Sequence, residues 1–168
     1  MLMSEALIAA LIEVERHVAK LGWDQPARLF ALVRTKELIE AEPHLAEALG
    51  AARPDGFSSV EQDEFSAGAD LAQTLSEIMW PPAVAGCVLC VERAFLPPDA
   101  EADLPEDPDR AADVVAEHPR RLDVRLVVGV TRDGQRHGVA RVRDAGAELL
   151  TGTDLVPALT EALAHTFE

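Results

Sequence analysis

Apolar positions near the start of the chain recur at helical spacing. Leu7, Leu11, Val14, Val18 and Leu21 fall on one stripe that Ile8 and Ile12 widen, which predicts an amphipathic helix over 4–21. Ser4 is placed to cap it and Gly22 to stop it. Trp23-Asp24-Gln25-Pro26 then reads as a turn, because the proline pushes Gln25 out of the α region. Residues 28–34, an apolar run closed by Arg28 and Arg34, read as a strand. Thr35 can cap a following helix that carries Leu38, Ile39, Leu45 and Leu49, and Pro43 divides it in two.

Residues 51–58 read as a loop. Ser59-Val60-Glu61-Gln62 resembles a capping box, and Leu71, Leu75, Ile78 and Met79 continue a helical pattern as far as Trp80-Pro81-Pro82. Residues 84–96 are rich in Val, Leu and Cys and bounded by prolines, as a buried strand would be. Residues 122–132 alternate, with Leu122, Val124, Leu126, Val128 and Val130 on one face. Asp133-Gly134 supplies a turn, residues 139–143 return as the antiparallel partner, and a further short strand fits 148–150. A last helix carries Leu155, Leu159, Ala162, Leu163 and Phe167, with Thr153 or Asp154 as its cap and Pro157 in its first turn. Adjacent strands with helices gathered before and after them predict an α+β fold: an antiparallel sheet of about four strands with helices packed mainly on one face. At 168 residues this is one domain over 1–168.

Charge changes the picture more than composition does. Thirty acidic against fifteen basic residues leave a net charge of −15, which repels phosphate backbones and argues against nucleic-acid binding. Seven acids lie between Asp99 and Asp113, together with Pro105 and Pro108; this predicts a mobile acidic loop over 97–110 that leads into a short helix through Val114 and Val115, ended by His118-Pro119. The longest apolar run, 79–91, is shorter than the roughly 20 residues of a membrane span and is broken by Pro81, Pro82 and Gly86, so no membrane insertion is expected. The N-terminus has no basic region before its apolar stretch, and Glu13, Glu15 and Arg16 interrupt that stretch. A cytoplasmic location follows as the expectation.

Cys87 and Cys90 have the spacing of a zinc or redox pair but fall inside a predicted strand, where residues three apart point to opposite faces. Ordinary buried thiols are the better reading. The five histidines are scattered without ligand spacing, and no glycine-rich or Walker-type phosphate loop or nucleophile elbow occurs. No metal, cofactor or catalytic residue is therefore expected. The acids of residues 61–64 are explained by a helix N-terminus without any catalysis. Trp23 and Trp80 each sit beside a proline-containing turn and can either close the core or frame a pocket. Arg125, Arg141 and Arg143 fall on alternate positions of the predicted hairpin. They can share the sheet face away from the helices as a carboxylate-binding surface, or pair with the acidic stretch. With Asp24, these residues make up the candidate binding surface: Trp23, Asp24, Trp80, Arg125, Arg141 and Arg143.

The ordered set Gly22-Trp23-Asp24-Gln25-Pro26 with Leu29-Phe30-Ala31-Leu32-Val33, then Trp80-Pro81 with Val84-Ala85-Gly86, Val124-Arg125-Leu126-Val127-Val128-Gly129-Val130 and Asp154-Leu155-Val156-Pro157-Ala158-Leu159, resembles a family of uncharacterised actinobacterial proteins over nearly the whole chain. The resemblance implies a small intracellular single-domain protein from a high-GC bacterium. It brings no activity, cofactor or catalytic residue.

The leading expectation is a non-enzymatic acidic binding or adaptor protein that engages another polypeptide. The alternative is a small-molecule sensor or enzyme with a pocket near Trp23, Trp80 and Arg125, and a weaker third idea is mimicry of nucleic acid by the acidic surface. Strand edges and helix stripes are also compatible with a homodimer.

Overall fold

The computed structural model describes residues 2–45, 56–62, 65, 71–95, 104–119, 121–143, 150–152 and 157–167. Helix α1 (Leu2–Ala19) leads through the turn at Trp23 into β1 (Arg28–Arg34), α2 (Thr35–Ala41) and a 3-10 turn (Pro43–Leu45). Then come β2 (Phe57–Glu61), α3 (Leu71–Ser76), β3 (Val84–Phe95), α4 (Pro108–Glu117), β4 (Leu122–Thr131), β5 (Arg136–Val142), β6 (Leu150–Gly152) and α5 (Pro157–His165). The strands form one antiparallel sheet in the order β2-β1-β3-β4-β5-β6. The class is α+β as expected, with six strands among the described residues rather than about four.

The extra strand on the N-terminal side is β2, where the capping-box pattern at Ser59 predicted a helix. Pairing decides the matter: Phe57 to Glu61 lie in unbroken antiparallel register against Arg34 to Phe30. Strand propensity is largely a matter of fit to a neighbour, so a polar segment beside a strong strand becomes an edge strand. The final strand is shifted from 148–150 to Leu150–Gly152. Ser4 lies within α1 rather than capping it, and Thr35 is the first residue of α2, buried and hydrogen-bonded through its hydroxyl to Ser58 Oγ at 2.8 Å.

The helices do not gather on one face. Leu7, Leu11, Val14 and Val18 of α1 pack with Phe30, Leu32, Val88, Val127 and Val139 on one side of the sheet. Leu75 of α3 and Leu163 of α5 pack with Leu29, Cys87, Leu89, Val128 and Val130 on the other. Residues 124–131 are consequently buried at every position, not at alternate ones. The unbroken apolar run Leu126-Val127-Val128 requires this, because a strand hydrophobic on both faces must be covered on both. Each fully buried Leu or Val contributes roughly 1.5–3 kcal/mol, so the central strands β3 and β4 anchor the domain.

Helix α4 follows the acidic stretch, starting at Pro108 with Asp107 as N-cap; the Asp107 carboxylate accepts from the Asp109 amide at 3.1 Å. It ends at His118, before Pro119. Of the predicted mobile loop, residues 97–103 lie outside the described residues, as do Leu49, Thr153, Asp154 and Leu155. No helix among the described residues is long and apolar enough to cross a membrane.

Candidate functional site

Five of the six candidate residues meet at the C-terminal end of α1. The helix tightens in its last turn, where Leu21 N donates to Val18 O and Gly22 N to Ala19 O. The chain then reverses through two residues of positive φ, Gly22 at 88° and Asp24 at 64°. Glycine has no Cβ to clash there, and aspartate is among the few other residues that visit the left-handed region. Glu92 of β3 holds the turn from below: its two carboxylate oxygens accept from the amides of Asp24 and Gln25, each at 2.9 Å. Gln25 bridges onward, donating to Leu21 O and accepting from Arg28.

The arginines hold the same turn from the side. Arg125 lies over the Trp23 ring at 4.4 Å and Arg143 at 5.5 Å, so the indole is held by two guanidiniums. Arg125 also donates through Nη2 to Gly22 O at 2.8 Å, and Arg143 lies 3.6 Å from the Asp24 carboxylate. Cross-strand register produces this arrangement, since Glu92, Arg125 and Arg141 stand directly opposite one another on β3, β4 and β5.

That row lies on the face that α1 covers, not on a face away from the helices. The carboxylate that Arg125 and Arg141 bind is the chain's own Glu15, whose side chain is 0% exposed. Arg125 is 1% exposed, its Nη1 lying 3.8 Å from Glu15 Oε2, and Arg141 donates through Nε to Glu15 Oε1. The arginines are thus committed to an internal acid, and the turn they hold is part of the same lock. Beside it, a surface cavity of about 170 Å³ is lined, among the described residues, by three acids, Asp24, Glu92 and Asp123, and three arginines, Arg93, Arg121 and Arg143.

Trp80 is elsewhere. It lies on the opposite side of the sheet, stacked on Phe167 with ring centroids 6.1 Å apart, and its indole N–H donates to Thr166 Oγ1 at 2.9 Å. A single pocket uniting Trp23, Trp80 and Arg125 is therefore not formed. Trp80 instead forms part of the wall of a groove of about 420 Å³ with Leu29, Phe65, Ile78, Met79 and Pro81, and with Gln62, Thr74 and Glu77 as its polar members. Met79 is 91% exposed, an extreme value for a large apolar side chain. In the sequence Met79 falls on a helical stripe, but the helix ends at Ser76, ahead of Trp80-Pro81-Pro82, whose prolines disfavour its continuation.

The two thiols face opposite sides of β3, Cys87 toward α5 and Cys90 toward α1. Burial pushes each up to about 12, opposed at Cys87 by its contact with Thr166 and at Cys90 chiefly by the nearby Arg125 charge. They cannot share a metal or a disulfide, and the thiolate needed for reaction is scarce. Ellman's reagent at pH 8 is accordingly expected to titrate neither thiol in the folded protein and both in guanidinium. Rapid reaction of either under native conditions would contradict their placement. Among the described residues no group of His, Cys, Asp and Glu could hold a metal ion.

A family model described as PPA1309-like protein matches residues 7–168. No curated protein and no solved structure matches the chain. The chain belongs to the PPA1309-like family.

Proposed function

We propose that this member of the PPA1309-like family is a non-enzymatic binding protein that engages another polypeptide, and that the groove at Trp80 receives an apolar side chain flanked by basic residues. The observation that carries this reading is the groove itself: apolar walls open to solvent, with Met79 91% exposed at its rim. Exposed apolar surface rimmed by polar groups is the usual mark of an interaction site. The partner's basic character follows from charge. The chain carries −15, and among the described residues Glu77 is the charged member of the groove wall. Among the described residues, Glu15, Arg125 and both thiols are buried in structural contacts, which supports the same reading.

A selection from displayed random peptides tests the proposal. Peptides with an apolar anchor between Lys or Arg residues are expected to enrich, and Met79→Asp is expected to weaken them at least about tenfold. The exposed position leaves stability within about 0.5 kcal/mol. Failure to enrich any peptide, or binding indifferent to Met79→Asp, would refute the groove as a peptide site. The small-molecule reading draws on the same cavity, since about 420 Å³ falls in the range of ligand pockets. A thermal shift from a metabolite panel without any peptide binding would favour it.

A further inference from the structure

Among the described residues, strand β2 lies at one edge of the sheet, and its backbone phase is fixed by two hydrogen bonds. Gln62 N donates to Leu29 O at 2.8 Å, and Thr35 N donates to Gly56 O at 3.0 Å. Antiparallel ladders alternate bonded and non-bonded pairs. The register Glu61↔Phe30, Val60↔Ala31, Ser59↔Leu32, Ser58↔Val33 and Phe57↔Arg34 carries the same phase inward from both ends. Ser58 and Val60 bond to β1. The amides and carbonyls of Phe57, Ser59 and Glu61 point outward, away from the sheet.

Several features make this edge a template. Ser59 is exposed and Val60 is 45% exposed. The β1–β2 pairing has no register shift, unlike β1–β3, which is irregular between Leu32 and Val33. Phe57-Ser58-Ser59-Val60-Glu61 contains no proline, no lysine and no bulge, three of the devices that blunt an edge. Its single charge, Glu61, is held on the α1 face by Arg28 at 2.5 Å and lies 3.8 Å from His17. Val60 stands on the other face, the side of the sheet on which Leu29 and Trp80 line the groove.

We infer that β2 binds an extended, basic peptide of a partner protein as a seventh strand, through the outward backbone groups of Phe57, Ser59 and Glu61. This rests on the reading of the chain as a polypeptide-binding protein and gives it a mode. Main-chain bonds supply affinity in strand addition, and side chains at alternate positions supply selectivity. A second copy of the chain is the less favoured occupant, because pairing two molecules of −15 each sets like charge against like.

The probe is a short peptide of alternating valine and lysine, with its valine–glutamate counterpart and a version N-methylated at alternate backbone nitrogens. Amide hydrogen exchange is followed by NMR. The basic peptide is expected to bind and to slow exchange at Phe57, Ser59 and Glu61, leaving Ser58 and Val60 as protected as before. The acidic and the N-methylated peptides are expected to bind at least about tenfold more weakly. Ser59→Pro removes an outward N–H without removing a bond to β1, so it is expected to fold and to lose the peptide; the N-methylated peptide makes the same test on the unaltered protein. Peptide binding without protection at the three amides overturns the strand addition and leaves the groove reading standing. No binding by any peptide, selected ones included, overturns both. Protection at the three amides that rises with protein concentration alone assigns the edge to a second copy and overturns the basic-peptide assignment.

Discussion

Glu15→Ala is expected to destabilise the fold by about 3–5 kcal/mol, the usual cost of removing one member of a buried ion pair. The substitution leaves Arg125, 1% exposed, without the carboxylate that offsets its charge. Arg141 is 22% exposed and can turn its guanidinium to water, so the larger part of the cost falls on Arg125. Removing the acid also loosens the turn above it, because Arg125 holds both Gly22 O and the Trp23 ring. Urea unfolding measures the loss, and Trp23 fluorescence should shift toward that of a solvent-exposed indole. The control is Glu15→Leu combined with Arg125→Met, which removes both charges and keeps the volume. Such replacements of buried pairs are often neutral or stabilising, so the double variant should recover part of the stability lost in Glu15→Ala, the contacts of Arg125 with Gly22 O and Trp23 remaining lost. A single substitution costing less than about 1 kcal/mol would mean that the pair is not buried as described.

Gly86→Ala is the second large effect, at about 1–3 kcal/mol. A Cβ on Gly86 would stand 2.6 Å from Val130 O and 3.3 Å from Thr131 Cα. Both atoms are backbone of β4, opposite Gly86 in the central strand pair, so relief requires β3 and β4 to part. Gly129→Ala provides the contrast. Its Cβ would meet Leu11 Cδ2 at 2.8 Å and Leu7 Cδ1 at 3.1 Å, the ends of side chains that can rotate. Calorimetry should therefore place Gly86→Ala below Gly129→Ala in melting temperature, at about 2–4 °C per kcal/mol for a chain of this size. The reverse order would contradict the close approach at Gly86.

Much of the sheet was legible. The limits of β1 coincide with the apolar run between Arg28 and Arg34, and β3 and β4 match runs closed by prolines and turn residues. Strand β2 was not, since Ser59-Val60-Glu61 carries no strand signal of its own and owes its conformation to β1. The two-sided core was written in Leu126-Val127-Val128, but the alternation of Leu122, Val124 and Leu126 suggested a one-sided sheet. At the candidate site, the residue types at Trp23, Arg125, Arg141 and Arg143 pointed to one cluster. Their partners could not be read. A glutamate beside an apolar helix stripe ordinarily marks its boundary, and Glu15 becomes a core residue only because the row Glu92, Arg125 and Arg141 lies beneath α1. Trp80 shared the proline-turn context of Trp23 yet lies on the other face, a distinction set by strand order and parity rather than by local sequence.

Binding of a basic peptide at the Trp80 groove is tested most directly by fluorescence on a Trp23→Phe background, where Trp80 is the remaining indole. A selected peptide titrated into this protein should change Trp80 emission saturably, with the same midpoint as binding measured by calorimetry, and Met79→Asp should abolish both signals together. Saturable binding with unchanged Trp80 emission would put the peptide elsewhere and contradict the groove as the site of recognition.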